Sequence, residues 1–223
     1  KIEKKKCITG NYLIFKNFLY TCLDLKIKSK ILYLSSGEIF GSNQKFKKKE
    51  NNIMKSDNCY SECKIKSLKL TEEFRNKYNF FISNAICYNH ESIFTPKNHI
   101  IRKIINNFDN KNNKTATIYN SDDVRNISHV YDFLPIFSKI LDFKKADDYI
   151  VANNENISLK NISLIFNKFF IKKFLFKKKN INTLSRMANN LKIKKILNYS
   201  PTFHTEKLLI RMISYHKRQL YFK

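Results

Sequence analysis

Three short stretches of this sequence carry side chains suited to proton transfer. The apolar run Ile31-Leu32-Tyr33-Leu34 leads into Ser35-Ser36-Gly37-Glu38-Ile39-Phe40-Gly41, so hydroxyls and a carboxylate emerge where a buried strand ends. The C-terminal edge of a parallel sheet is where α/β proteins place their active sites. About twenty residues on, Tyr60-Ser61-Glu62-Cys63-Lys64 opens a helical pattern. A Tyr and a Lys four residues apart share one helix face, and the ammonium there can draw the phenol pKa down from about 10 toward a general-base range. Asn89-His90-Glu91-Ser92 then follows the apolar run Phe80 to Cys87, a polar cluster again at a strand's end. Singly, each has a plainer reading: a surface Tyr on a Lys stem, a Ser-Ser turn or helix cap, an exposed Glu. Their order and spacing favour a joint reading over these separate ones.

The elements that must position these groups alternate. Apolar residues at helical spacing fill 9–25, and strands are read at Ile31–Leu34, Phe80–Cys87, Ala116–Tyr119 and Asp148–Ala152. Helices are read at Tyr60–Lys77, 98–108, Val130–Phe143 and Ser158 to about Phe170, with a polar loop from Ser42 to Asp57 and irregular and helical pieces at the end. Short continuous apolar strands are buried on both faces, as in parallel sheets. Alternating strand and helix therefore argue for an α/β fold with right-handed crossovers.

Composition removes other classes. With 223 residues, 43% hydrophobic and 14% aromatic, the chain can bury a core and is no disordered basic tail. Its formal charge of +25 suggests a nucleic-acid partner at first sight. Yet only Arg75, Arg102, Arg125, Arg186, Arg211 and Arg218 are arginines, the remainder of the 43 basic residues being Lys. Base readout and bidentate phosphate contacts favour Arg, and the lysines are spread among Asn, Ile, Phe and Tyr as an AT-rich coding sequence would spread them. The densest runs, 45–49 and 172–179, read as solvated loop or edge faces, and no specific nucleic-acid partner is expected. Five cysteines without a C-x-x-C pair read as reduced thiols of a cytoplasmic protein; Cys59 and Cys63 lack the His or second Cys pair of a zinc set, so no metal is expected. The greasiest stretch, Ile162 to Phe176, is interrupted by Asn167, Lys168, Lys172 and Lys173, so no membrane span is expected.

With the motifs in this order, the sequence resembles the extended short-chain dehydrogenase/reductases, and within them the GDP-mannose 4,6-dehydratases. Ser35 to Gly41 is similar to that family's Ser-Thr-Ser-Glu-Leu-Tyr-Gly, Tyr60 and Lys64 to its Tyr-x-x-x-Lys, and Asn89 to Ser92 is its Asn-His-Glu-Ser letter for letter. Arg102-Lys103-Ile104, Arg125 to Phe133, Asp148 to Ala152 and Lys192 to Pro201 echo later family motifs, with Asn198 and Tyr199 in place of Gly and Trp. The resemblance implies an α/β fold: a partial Rossmann-like doubly wound parallel sheet lacking its N-terminal strands, with a small C-terminal α/β substrate lobe. Residues 1–90 would be the C-terminal half of the NADP-binding domain. Residues 91–223 would be a mixed substrate lobe with returning Rossmann elements.

The implied activity is a lyase reaction, internal redox dehydration of GDP-mannose to GDP-4-keto-6-deoxymannose with NADP, a step toward GDP-fucose. Tyr60, held as phenolate by Lys64, would take the 4-hydroxyl proton, Ser36 would bond the same hydroxyl, and Glu38 would remove the C5 proton. Lys64 and His90 would hold the nicotinamide half, and Asn89, Lys103 and Arg125 the substrate. For Arg125 a structural ion pair is the equal alternative, and His129 reads as structural. A homo-oligomer, dimer or tetramer, is implied for the complete protein.

Several family features are missing. None of the three glycines forms a G-x-G-x-x-G loop, Phe94-Thr95 replaces an Arg-Arg, and Lys179-Asn180-Ile181-Asn182 replaces an Arg-Pro-x-Glu substrate clamp. The resemblance begins at the helix before Ile31, and the chain opens on Lys1, so roughly the first four strands of the fold are expected upstream. Two readings follow: a fragment of a working dehydratase, or a degenerate non-catalytic remnant, with a sister nucleotide-sugar epimerase or dehydratase as the nearest variant. The strand at Ile31 is expected to present an open hydrophobic edge.

Overall fold

The structure, a computed structural model, describes residues 2–109, 115–170, 173–178 and 184–221. The chain opens with α1 (Ile2–Ile8), one π turn at Thr9–Leu13 and α2 (Ile14–Asp24), a near-continuous helix that begins earlier than the periodicity suggests. It breaks at Lys26, whose φ of 55° no helix interior accepts.

The central sheet takes its three strands from the three apolar runs around the chemistry-bearing segments. Strands β1 (Ile31–Ser36), β2 (Ile82–Cys87) and β6 (Asp148–Val151) lie side by side in the order β1-β2-β6, all parallel. All six residues of β2 are buried, the polar Ser83 and Asn84 included, as the middle strand of a sheet covered on both faces requires. Helices cover both faces. Leu19 of α2 and Leu70 and Phe74 of α3 (Cys59–Tyr78) pack on Ile82. On the other side, Phe133, Ile136 and Ile140 of α5 (Val130–Asp142) and Ile193 of α7 (Leu191–Leu197) pack on Ala85, Tyr149 and Val151. This is the doubly wound arrangement. One polar inclusion is held through its amide nitrogen: buried Asn84 Nδ2 donates to Thr71 Oγ1 (2.7 Å) and Asp148 Oδ1 (2.6 Å), and Arg75 bonds the same carboxylate at 2.8 Å.

Register fixes the height of the site. Ser36 pairs with Cys87, so β1 and β2 end level, and the chain leaving β2 enters β3 (Asn89–Glu91). Strand β3 runs parallel to β5 (Val124–His129), which pairs antiparallel with β7 (Asn156–Ser158). Beyond them β4 (Thr115–Tyr119) pairs parallel with β8 (Lys173–Lys177). A separate core joins α4 (Ile100–Asp109), α6 (Leu159–Asn167) and α8 (Thr205–Tyr221) through Ile105, Phe108, Phe166 and Met212. Four of these strands are not apparent from sequence pattern. β5 carries Arg125, Asn126, Ser128 and His129, all buried because each is hydrogen-bonded rather than apolar. β3 and β7 are three residues each, and β8 lies within the lysine-rich run, an edge as its charge suggests. Among the described residues no helix is long and apolar enough to cross a membrane.

Candidate active site

A cleft of about 280 Å³ opens at the ends of β1 and β2, lined by Ser36, Glu38, Tyr60, Asn89, His90 and Arg186 among others. Its floor is a tight turn. Ser36, last in β1, accepts a bond from Glu38 N at 3.2 Å and so caps the 3-10 turn Gly37–Ile39. Gly37 is required there by a close approach: a Cβ would meet the Tyr88 ring at 2.7 Å. Tyr88 is fixed in turn, its hydroxyl donating to Met187 O at 3.2 Å.

The turn projects Glu38 into the cleft, where two residues hold its carboxylate. Arg186 Nη1 lies 3.0 Å from Oε1, and Asn58 Nδ2 donates to Oε2 at 3.3 Å. Asn58 is also the N-cap of α3, accepting from Ser61 N at 2.9 Å while Ser61 Oγ accepts from Asn58 N. The residue that starts the helix carrying Tyr60 therefore also orients Glu38.

Tyr60 and Lys64 occupy the first turns of α3 on one face, as their spacing predicts. Their electrostatics differ from the sequence expectation. Burial pushes the Tyr60 phenol above its ordinary value, and the nearby Glu38 carboxylate adds to this, while the Ser36 hydroxyl acts in the opposite sense. Lys64 Nζ sits over the rings of Tyr60 (5.6 Å) and Tyr33 (4.8 Å) and donates to Leu34 O at 2.9 Å. Burial lowers the Lys64 ammonium as well.

On the facing wall His90 donates from Nδ1 to Tyr88 O at 3.1 Å, packs beside Phe133, and so leaves Nε2 as its acceptor. Glu91 is buried, with Oε2 unpartnered and His99 Nδ1 3.9 Å away. Burial drives its carboxyl up to about 7, with the Thr95 hydroxyl pulling the other way.

Ser36, Glu38, Tyr60, Asn89 and His90 thus converge, with Lys64 directly behind Tyr60. Lys103 and Arg125 do not line the cleft. Lys103 is exposed on α4, and Arg125 is committed to Asp123 (3.2 Å) and to the carbonyls of Val124 and Leu184. Arg125 is therefore the structural ion pair that the sequence left open. His129 is structural too, stacked on Phe203 and bonded to Tyr131 N. Phe94 is exposed, and Thr95 closes the turn after β3 by accepting from Ser92 N. Residues 179–182, where the substrate clamp was sought, lie outside the described residues. Sequence reading missed Arg186, Asn58 and Glu91 as site residues. Arg186 had a signal in its rarity: in a lysine-rich chain three of the six arginines, Arg75, Arg125 and Arg186, hold carboxylates.

Comparison with known proteins follows the same line. A family model described as GDP-mannose 4,6 dehydratase matches residues 11–221. The human GDP-mannose 4,6 dehydratase is 25% identical over 177 residues, covering 74% of this chain and 45% of its own length. The Vibrio cholerae serotype O1 enzyme is 25% identical over 141 residues, 62% of this chain and 38% of its own. The chain thus spans less than half the length of these relatives. Among solved structures, dTDP-glucose 4,6-dehydratase from Bacillus anthracis in complex with NAD aligns with a TM-score of 0.85 at 15% identity, over 96% of this chain and 70% of that one. RMD from Pseudomonas aeruginosa complexed with NADPH aligns at 0.83 and 16%, over 94% and 73%. At such identities these matches establish the shared α/β fold.

Proposed function

Because the chain belongs to the GDP-mannose 4,6-dehydratase family, we propose that it forms the catalytic part of a cytoplasmic nucleotide-sugar dehydratase acting on GDP-mannose. The product would be GDP-4-keto-6-deoxymannose. In this reading residues 1–90 belong to the cofactor side, 91–223 to the substrate lobe, and the complete protein is a homo-oligomer. The observation that carries it is the convergence of Ser36, Glu38, Tyr60, Asn89 and His90 on one cleft.

The residues present fit one end of a nicotinamide cofactor. Tyr60, His90 and the orphaned, buried Ser35 Oγ gather at the sheet edge beside a glycine turn. Among the described residues no glycine-rich cradle accompanies them: Gly10 lies in a helical turn, Gly37 in the 3-10 turn and Gly41 in a loop. A bound NADP would supply the two-electron oxidation at C4 of the sugar and return those electrons at C6.

The chain's own residues do the proton work. Ser36 and Tyr60 receive the 4-hydroxyl, and Tyr60 in its phenolate form would take that proton as C4 becomes a ketone. Glu38, aimed by Arg186 and Asn58, removes the C5 proton acidified by that ketone and passes it to the C6 hydroxyl, which leaves as water, while the proton taken by Tyr60 balances the one restored at C5. Lys64 and His90 hold the nicotinamide side, and Asn89 contacts the nucleotide sugar. Incubation of the full-length protein with GDP-mannose and NADP tests this, with a product one water lighter expected by mass spectrometry. Dehydration of a dTDP- or UDP-sugar instead would identify a sister enzyme. The non-catalytic reading is favoured by one observation, the ion pair that occupies Glu38. It predicts no turnover of any nucleotide sugar and no deuterium exchange at C5.

A further inference from the structure

The fold brings together three cysteines that the sequence keeps apart. Cys59 and Cys63 stand one turn apart at the start of α3, and Cys7, near the end of α1, packs against them. The three sulfurs all lie within 4.8 Å of one another. Cys63 is buried, while Cys7 and Cys59 are half-buried, so the cluster is reachable from solvent on one side. Further groups surround it: Asn11 Nδ2 bonds both Cys7 O (3.0 Å) and Cys7 Sγ (3.9 Å), and Lys4 O lies 3.9 Å from Cys59 Sγ. The remaining free thiols, Cys22 and Cys87, are buried elsewhere.

We propose that Cys7, Cys59 and Cys63 form a tri-thiolate site for a thiophilic d10 cation, Zn2+ in the first instance. Three sulfurs bound at about 2.3 Å sit roughly 3.8 Å apart. The cluster therefore needs a contraction of about an ångström at most along its longest edge, within reach of rotamer adjustment. Binding forms three S–Zn bonds and releases three thiol protons to solvent. The fourth position falls to water or to the Lys4 carbonyl. The bound complex carries one net negative charge, which Lys4, Lys5 and Lys6 flank in a chain of formal charge +25. Three protein ligands with an open fourth position is a donor set zinc accepts. A loop from Cys7 to Cys59 that contains β1 would be closed by the ion, pinning α1 against α3 beneath Tyr60. The site is independent of the enzymatic reading.

Cobalt substitution tests it directly. The full chain, purified with a non-thiol reductant after chelator treatment, is titrated with Co2+ and then Zn2+. One equivalent of Co2+ should give a thiolate-to-cobalt charge-transfer band and tetrahedral visible bands, bleached by one equivalent of Zn2+. Cys7→Ser, on the short α1 and remote from the core, should weaken Zn2+ binding by about 100-fold. Cys63→Ser should do the same, and Cys22→Ser should leave both spectrum and affinity unchanged. Absence of the charge-transfer band in the unsubstituted chain overturns the site, as does a band that survives in Cys7→Ser at equal affinity. A mass two hydrogens lower, with no metal uptake under reductant, would make the cluster a disulfide instead and also overturn it.

Discussion

Arg186 grips the Glu38 carboxylate at 3.0 Å, joining the loop before α7 to the turn after β1. Both partners keep some access to solvent, 21% and 27% exposed, so the contact sets a direction for the carboxylate more than it adds stability.

Removing Arg186 should therefore disturb aim rather than folding. In the full-length protein Arg186→Gln is expected to lower kcat and C5 deuterium exchange by about 100-fold, with KM nearly unchanged, because about an ångström of misplacement is enough for that loss. Arg186→Lys should recover part of it, limited by the loss of guanidinium geometry. Equal kcat in the Gln variant would show that Arg186 only fills space.

Gly37 offers a packing test of the cleft floor. Alanine there places Cβ 2.7 Å from a Tyr88 ring whose hydroxyl is bonded to Met187 O, so the ring cannot swing clear. Gly37→Ala should cost about 1–3 kcal/mol in urea unfolding, as overpacking does. Tyr88→Leu made together with it should restore most of that loss. Additive costs in the double variant would refute the steric account.

Glu91 predicts a pH dependence. Its folded pKa, about 7, lies above the unfolded value, so the folded chain binds the extra proton. The neutral carboxyl is tolerated at low pH, and the cost of an ionised buried group appears as pH rises from about 4.5 to about 7. Glu91→Gln removes that cost. Its stability relative to the unsubstituted chain should climb through this window and level off above it, by at most ~3 kcal/mol. A difference between the two chains that is flat with pH would reject the buried-charge account.

Much of the central sheet was legible in the sequence because its strands are short, mostly apolar runs and polar motifs follow them. Ser36, Glu38, Tyr60, Asn89 and His90 could be placed for the same reason: each is local to the end of one element. Arg186 and the Cys7 approach were not legible, since both depend on long-range packing that no local spacing encodes. β5 was hidden by its chemistry. Its buried residues are polar and satisfied by partners such as Asn153, which bonds Asn126 Oδ1 and Ser128 Oγ through its backbone N–H and Ile127 O through its side chain. Lys103 and Arg125 were misplaced by analogy, because a motif fixes a position along the chain but not the direction of its side chain.

The open edge of the sheet leads to the last expectation. Among the described residues β1 pairs only with β2, and its outer face carries Leu34, 47% exposed. Nearby in the sequence, Ile14 (62%) and Phe18 (49%) stand four apart on α2, one exposed apolar stripe on a helix whose opposite face already packs on α3. An unpaired edge and an apolar stripe invite association, and the strong positive charge opposes it only at low salt. The 223-residue chain expressed alone is therefore expected to associate in sedimentation runs, more so as salt is raised. It should show no saturable NADP binding by fluorescence titration, for want of a phosphate cradle. Ile14→Lys with Phe18→Lys should shift the population toward monomer. A monodisperse monomer that binds NADP at moderate salt would contradict both expectations, and would mean that the edge of β1 is covered and the phosphates held by means other than a glycine loop.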